Sequence, residues 1–195
     1  MTQTLYLMRH GETLFNQLHQ IQGWCDSPLT EKGMAQAKIA GEWFTAHKVT
    51  LDAAASSTQE RASDTLELVA PGMPYARLKG IKEWNFGRFE SQPEFLNPVV
   101  PYGDFFKYAG GESMDEVSAR MLATLTAIMT DFDGENFLAV SHGGAIACFL
   151  RAIAGGDNSV MERVRGFRNC SILKFGVDGG KFALKDIINH DFSAL

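Results

Sequence analysis

Two short apolar runs each empty directly into a histidine beside glycine, and that recurrence constrains the fold more than any other feature of the chain. Leu5–Met8 leads into Arg9-His10-Gly11, and Phe137–Ser141 leads into His142-Gly143-Gly144. Short apolar runs that stop at such loops read as strands buried on both faces. Helical patterns alternate with them. Thr30 reads as the N-cap of a helix with Met34, Ala37, Gly41 and Phe44 on one side. A second strand is expected at Ala53–Ser56, and a helix from about Arg61 to Ala70 that Pro71-Gly72 ends. Ser113-x-x-Glu116 is a capping-box pattern. After it, Val117, Met121, Leu125, Ile128 and Phe132 recur at helical spacing. Gly143-Gly144 leads into an apolar helix, Ala145–Ala154. Ser171–Phe175 and Phe182–Ile188 then close the chain as a hairpin across Asp178-Gly179-Gly180.

Strands alternating with helices predict an α/β fold of three layers, with a mainly parallel sheet and helices on both faces. Ligands of such sheets bind outside the carboxyl ends of the strands, where the strand order reverses. The loops after Met8 and Val140 are therefore the expected site. Residues 84–111 are different. Pro93, Pro98 and Pro101 interrupt a stretch rich in Phe and Tyr that shows no period. This segment is expected to be a cap inserted into one domain over residues 1–195, lying over the carboxyl end of the sheet.

Charge and cysteine content narrow the classes. Eighteen Lys and Arg against 23 Asp and Glu leave a net charge of −5. That balance argues against nucleic-acid and membrane-surface partners, so an anionic ligand has to be held by local cations. Cys25, Cys148 and Cys170 are odd in number and lack CxxC pairing. With no signal-peptide layout at the N-terminus and no apolar run of bilayer length, a cytoplasmic location is expected. No feature of the sequence sets an oligomeric state.

Four elements carry chemistry, and each alone has an ordinary structural reading. His10, at a strand end beside a fixed cation, can serve as nucleophile toward phosphorus or as base; a surface loop can hold the same pair. His142 precedes a helix N-terminus whose N–H groups suit an anion, and a tight strand–helix turn needs the same glycines. Arg61 sits in the first turn of its helix, where with Arg9 it could grip a phosphoryl group bidentately, or pair in solvent with Glu60 or Asp64. Glu83, in Lys82-Glu83-Trp84-x-Phe86-Gly87, is flanked by apolar residues that favour a neutral carboxyl able to donate a proton; an exposed Glu is the plain alternative.

In combination and in this order, Arg9-His10-Gly11-Glu12, Ser57-x-x-x-Arg61-Ala62, Glu83-x-x-x-Gly87 and Ser141-His142-Gly143-Gly144 resemble the histidine phosphatase superfamily. Gln22-Gly23-Trp24-x-Asp26-x-Pro28-Leu29-Thr30 and Gly110-Gly111-Glu112-Ser113 extend the likeness over residues 5–175. The resemblance implies a small phosphorylated substrate and a phosphohistidine on His10. It implies a phosphate pocket of Arg9, Arg61 and His142, a polar ligand at Asn16, and a substrate loop at Gln22 and Gly23. Glu83 becomes the proton donor, and the N–H of Gly143 a further anion donor. The family's hydrolysis needs neither metal nor organic cofactor, and the sequence carries no HExxH or CxxC spacing. On this reading His142 is charged while His10 is neutral.

Other readings are carried alongside phosphomonoester hydrolysis. A phosphoglycerate mutase would use the same pocket, but residues 84–111 offer only Arg88 and Lys107 for a second anion. The aromatic cap suits an apolar or variable leaving group better. A non-catalytic phospho-ligand binder would keep the pocket without turnover. Ala139-Val140-Ser141-His142-Gly143 also resembles a nucleophile elbow, with Asp186 and His190 following, but that reading leaves Arg9, Arg61 and Glu83 without roles.

Overall fold

Residues 3–155 and 167–195 are described by a computed structural model. Its strands are β1 (Gln3–Arg9), β2 (Ala53–Ser57), β3 (Ala76–Leu78), β4 (Asn136–Ser141), β5 (Ile172–Asp178) and β6 (Lys181–Ile188). They form one sheet in the order β3-β2-β4-β1-β5-β6. The β3–β2, β2–β4 and β4–β1 pairings are parallel, and β1–β5 and β5–β6 are antiparallel. The helices are α1 (Leu14–Gln17), α2 (Glu31–Ala46), α3 (Glu60–Val69), α4 (Phe105–Tyr108), α5 (Met114–Asp131) and α6 (Gly143–Ala154).

Alternation along β1 explains the layering. Leu5 and Leu7 point into one buried cluster with Val117, Met121 and Leu125 of α5 and Ile146 and Phe149 of α6. Tyr6 and Met8 point the other way, against Ala37, Ala40 and Phe44 of α2 and Ala62 and Leu66 of α3. A strand covered on both faces must be apolar throughout, and full burial of a Leu or Met stabilises by about 1.5–3 kcal/mol each. The predicted three-layer α/β architecture is what the chain adopts.

Local differences have identifiable causes. Thr30 does cap α2, accepting from the Gly33 N–H. However, the buried stripe runs through Gly33, Gln36, Ala37, Ala40 and Phe44, and Met34 is left 39% exposed. Gly33 lies inward because the Glu12 carbonyl approaches too closely for a larger residue. The Ser113/Glu116 capping box opens α5 as expected, with Met129 in the fully buried row and Ile128 and Phe132 half-buried beside it. Strand β3 is an addition at the sheet edge; its three residues, Ala-Arg-Leu, are too few and too polar to show periodicity.

The aromatics of residues 84–111 mostly pack on one another rather than on a ligand, with Phe86 alone of them reaching the candidate cavity among the described residues. Trp84, Phe86, Phe89, Tyr102 and Phe105 pack edge-on around the fully buried Phe106, with the Phe86 and Phe106 centroids 4.7 Å apart. They are a small core that holds an irregular segment in place. Backbone hydrogen bonds from Ile21 to Gln92, Ser91 to Ile21 and Glu94 to His19 fasten this segment to the loop following α1. Among the described residues no helix is long and apolar enough to cross a membrane.

The order of strands fixes where a site can form. From β1 the chain leaves through α2 on one face, and from β4 it leaves through α6 on the other. The crevice between the carboxyl ends of these two neighbours is the switch point.

Candidate active site

The register of β1 against β4 aligns Arg9 with Ser141, and the His10 N–H donates to the Ser141 carbonyl at 3.1 Å. The next residue on each strand is a histidine, so His10 and His142 emerge side by side with ring centroids 5.2 Å apart. His142 keeps an extended backbone as the N-cap of α6, which therefore begins at Gly143, two residues before the apolar run. A cavity of about 260 Å³ opens here, bounded on the strand side by Arg9, His10, Gly143 and Gly144 and flanked by Glu83.

His10 is buried, and its Nδ1 lies 2.7 Å from the Gly11 carbonyl. A carbonyl only accepts, so Nδ1 carries the hydrogen and Nε2 keeps its lone pair. Burial first, and then the Arg61 and Arg9 guanidiniums, hold the imidazole well below its ordinary pKa. It is neutral at pH 7 and competent as a nucleophile.

His142 is fully buried too, and its Nε2 lies 2.6 Å from Ser57 Oγ. Burial, followed by Arg61 and His10, keeps it well below its usual pKa. The expectation of a charged His142 is therefore corrected for the free site: burial and the neighbouring guanidiniums hold both imidazoles below their ordinary pKa. Its Nδ1 has no partner among the described residues. Ser57 Oγ already accepts the Gln59 N–H at 3.2 Å. When its own hydrogen goes to Nε2, Nδ1–H becomes a donor awaiting an acceptor.

The two arginines are not equivalent. Arg9 lines the cavity beside Gly143, and its buried Nε lacks a partner among the described residues. Arg61 is wholly buried and spends both terminal nitrogens on the loop before α2, donating to the carbonyls of Gln22, Gly23 and Cys25 and to Asp26 at 2.8 Å. Only its Nε remains unpaired among the described residues. Bidentate gripping by Arg61 is thus replaced by anchoring of residues 22–26.

Glu83 is buried, but not as a carboxyl isolated among apolar side chains. Its Oε1 accepts the N–H groups of Trp84 (2.8 Å) and Ala145 (2.7 Å), and its Oε2 accepts that of Gly144 (3.0 Å). It occupies the start of α6, where backbone dipoles favour negative charge. Gly144 must be glycine because a Cβ there would lie 2.8 Å from Glu83 Oε1. The Gly143 N–H has no acceptor among the described residues and stays open to a ligand.

Asn16 lines the cavity, its Oδ1 accepting from the Thr13 N–H and from Asn169 Nδ2, both at 3.2 Å. Gln22 also lines it, with its amide engaged by Thr13 and Ser27. Gly23 stands behind the wall; a side chain there would collide with the Trp84 carbonyl and Glu90. The structure thus brings Arg9, His10, Asn16, Gln22, Glu83 and Gly143 to one cavity, with His142 and Arg61 beneath it and Gly23 behind. The Ser141 hydroxyl is buried and donates to the Ile81 carbonyl at 2.8 Å, which removes the nucleophile-elbow reading.

Comparison with known proteins decides the family. The model of the histidine phosphatase superfamily, branch 1, matches residues 5–190. The chain belongs to the histidine phosphatase superfamily. A probable phosphoglycerate mutase of Yersinia pestis is 34% identical over 181 residues, covering 87% of this chain and 83% of that one. Among solved structures, YhfR of Bacillus stearothermophilus superposes with a TM-score of 0.79 at 30% identity, covering 93% of this chain and 95% of its own. A phosphoserine phosphatase from Entamoeba histolytica, solved with 3-phosphoglyceric acid, gives a TM-score of 0.81 at 27% identity over 97% and 98% of the two chains.

This member of the superfamily also relies on residues that the sequence does not single out. Arg120 pairs with Glu112 at 2.7 Å and donates to the carbonyls of Gly80, Lys82 and Glu83, fixing the backbone that carries Glu83. Glu90 accepts the N–H groups of Gly23, Trp24, Cys25 and Phe86, tying the loop before α2 to the segment after Glu83. Glu112 lies in a quoted motif and could have been suspected. Nothing in sequence marks Glu90, because its donors come from two separated stretches.

Proposed function

We propose that the chain is a phosphomonoester hydrolase working through a phosphohistidine on His10. The observation that carries this reading is the Nε2 lone pair of a neutral His10 opening into the same cavity as Arg9, the Gly143 N–H and the Glu83 carboxyl. His10 Nε2 attacks phosphorus, and the bond from phosphorus to the ester oxygen breaks. The Glu83 carboxylate takes up the proton of the bound phosphomonoester monoanion and passes it to the departing oxygen. Water then enters, Glu83 takes a proton from it, and the hydroxide attacks the phosphohistidine; the N–P bond breaks and phosphate leaves. Arg9, the Arg61 Nε–H, the Gly143 N–H and a neutral His142 Nδ1–H stabilise charge on the phosphoryl oxygens. Ser57 positions His142 by accepting none of its protons and donating to Nε2. Asn16 and Gln22 border the substrate, Gly23 gives its loop the required close approach, and residues 84–111 act as the cap.

A mutase has to hold a second anionic group. Arg88 is exposed, Lys107 is paired with Glu116 at the surface, and neither borders the cavity, whose sole lining cation is Arg9 among the described residues. Hydrolysis is accordingly the favoured reaction. The test is to follow phosphate release from an aryl phosphate alongside interconversion of 3- and 2-phosphoglycerate. Hydrolysis that dominates, and disappears in His10→Ala, is expected. Dominant isomerisation, or substantial hydrolysis by His10→Ala, contradicts the proposal.

A further inference from the structure

The two sides of the cavity differ in hydrogen-bonding character. The strand side presents cationic and N–H donors, as a phosphoryl group requires. The opposite edge comes from the cap and includes Glu94 and Asn97, with Gln20 beside them. These residues are held together: Gln20 bridges to Pro93, and the Glu94 N–H donates to the His19 carbonyl at 2.8 Å. Asn97 Oδ1 is cut off from water and has no hydrogen-bond partner among the described residues. A buried acceptor left unpaired is a standing cost, and a small rotation of the Asn97 side chain toward the cavity it lines would let a donor on a ligand remove it. A Glu94 carboxylate likewise only accepts. The exposed imidazole of His19, 3.6 Å away, touches it from outside the cavity lining.

Resting on the phosphatase reading, we propose that Glu94 and Asn97 make the cavity selective for phosphomonoesters whose leaving alcohol bears a hydrogen-bond-donating head, hydroxyl or ammonium, and that they reject alcohols ending in a carboxylate. A hydroxyl or ammonium a few atoms from the ester oxygen satisfies both acceptors. A carboxylate in the same place meets Glu94 with like charge and offers Asn97 Oδ1 no hydrogen. The volume of about 260 Å³ suits a phosphoryl group with a short alcohol. Specificity here combines attraction with deliberate repulsion of the wrong head group.

Two matched pairs of substrates isolate the head group. Glycerol 3-phosphate differs from 3-phosphoglycerate by a hydroxymethyl in place of a carboxylate, and phosphoethanolamine differs from phosphoglycolate by an aminomethyl. The readout is the ratio of kcat/KM within each pair, which is insensitive to the fraction of enzyme folded. A half-exposed charge supports a preference of about two- to fivefold for the donor-bearing member. Glu94→Gln should bring the ratio toward one, Glu94→Lys should invert it, and Asn97→Leu should slow the donor-bearing substrates selectively. A wild-type preference for the carboxylates, or ratios unmoved in both Glu94 variants, overturns the inference. An aryl phosphate assayed in parallel separates the two levels. Its turnover, together with a wrong head-group preference, refutes only the selectivity. Failure to hydrolyse any of these esters refutes the phosphatase reading beneath it.

Discussion

Replacing Glu83 by glutamine is customarily a gentle way to remove a proton donor, and this structure says that here it is not gentle. Both carboxyl oxygens face N–H donors: Trp84 and Ala145 on Oε1, Gly144 on Oε2. A glutamine amide can satisfy only one side. The better orientation keeps its oxygen toward Trp84 and Ala145 and turns the NH2 against the Gly144 N–H, donor against donor. Losing one charge-assisted hydrogen bond costs about 1.5–3 kcal/mol. Removing negative charge from the first turn of α6 adds about 0.3–1 kcal/mol. The sum is about 2–4 kcal/mol, or roughly 5–15 °C in melting temperature for a chain of this length. Turnover should fall by about 10²–10⁴ from the loss of proton transfer, while binding of phosphate or vanadate persists in the folded fraction. Chemical denaturation gives the stability change, and stopped-flow hydrolysis gives the rate. A Glu83→Gln protein within about 0.5 kcal/mol of wild type would show that the carboxylate does not cap α6 as described.

Three further outcomes are expected. Ser57→Ala should lower kcat by about tenfold, roughly one neutral hydrogen bond's worth of His142 positioning, with Ser57→Thr restoring most of it; nitrogen NMR of His142 should show the Nδ1–H tautomer lost in the alanine variant, and an unchanged tautomer would refute the role. His10 and His142 are held neutral below their ordinary pKa, so the folded state binds fewer protons than the unfolded state under acid. Stability should therefore be complete above about pH 6.5 and fall as the pH drops below it; His142→Gln should flatten that acid limb, and a pH-independent melting temperature between 5 and 7 would contradict it. Arg61→Met should cost about 3 kcal/mol, because it removes the donor shared by Gln22, Gly23, Cys25 and Asp26. Arg61→Lys should recover little, since an ammonium cannot span those acceptors; full recovery in urea unfolding would refute the anchoring role.

The site's frame was legible in sequence for a physical reason. His10 and His142 each follow an apolar strand by one residue, and parallel pairing of those strands puts them together almost automatically. The caps at Thr30 and Ser113 were legible because capping is local. What escaped depends on loops closing over long separations. Arg61 looked like a free cation because nothing local shows that residues 22–26 would fold over its guanidinium. His142 looked chargeable because sequence does not report burial. Glu90, Glu94 and Asn97 lie in a stretch whose aromatics suggested a ligand-facing wall. Most of those aromatics are consumed in packing around Phe106, and of them only Phe86 borders the cavity among the described residues, beside the polar Glu94 and Asn97 from the intervening turns.

The most direct measurement traps the enzyme during turnover of a labelled phosphomonoester, quenches it at alkaline pH and locates the phosphoryl group by peptide mapping and phosphorus NMR. Because Nδ1 of His10 is tied to the Gly11 carbonyl, the label is expected on Nε2 of that ring alone. Phosphate on Nδ1, on His142 or on a hydroxyl, or release with no covalent species at any time point, would contradict the account.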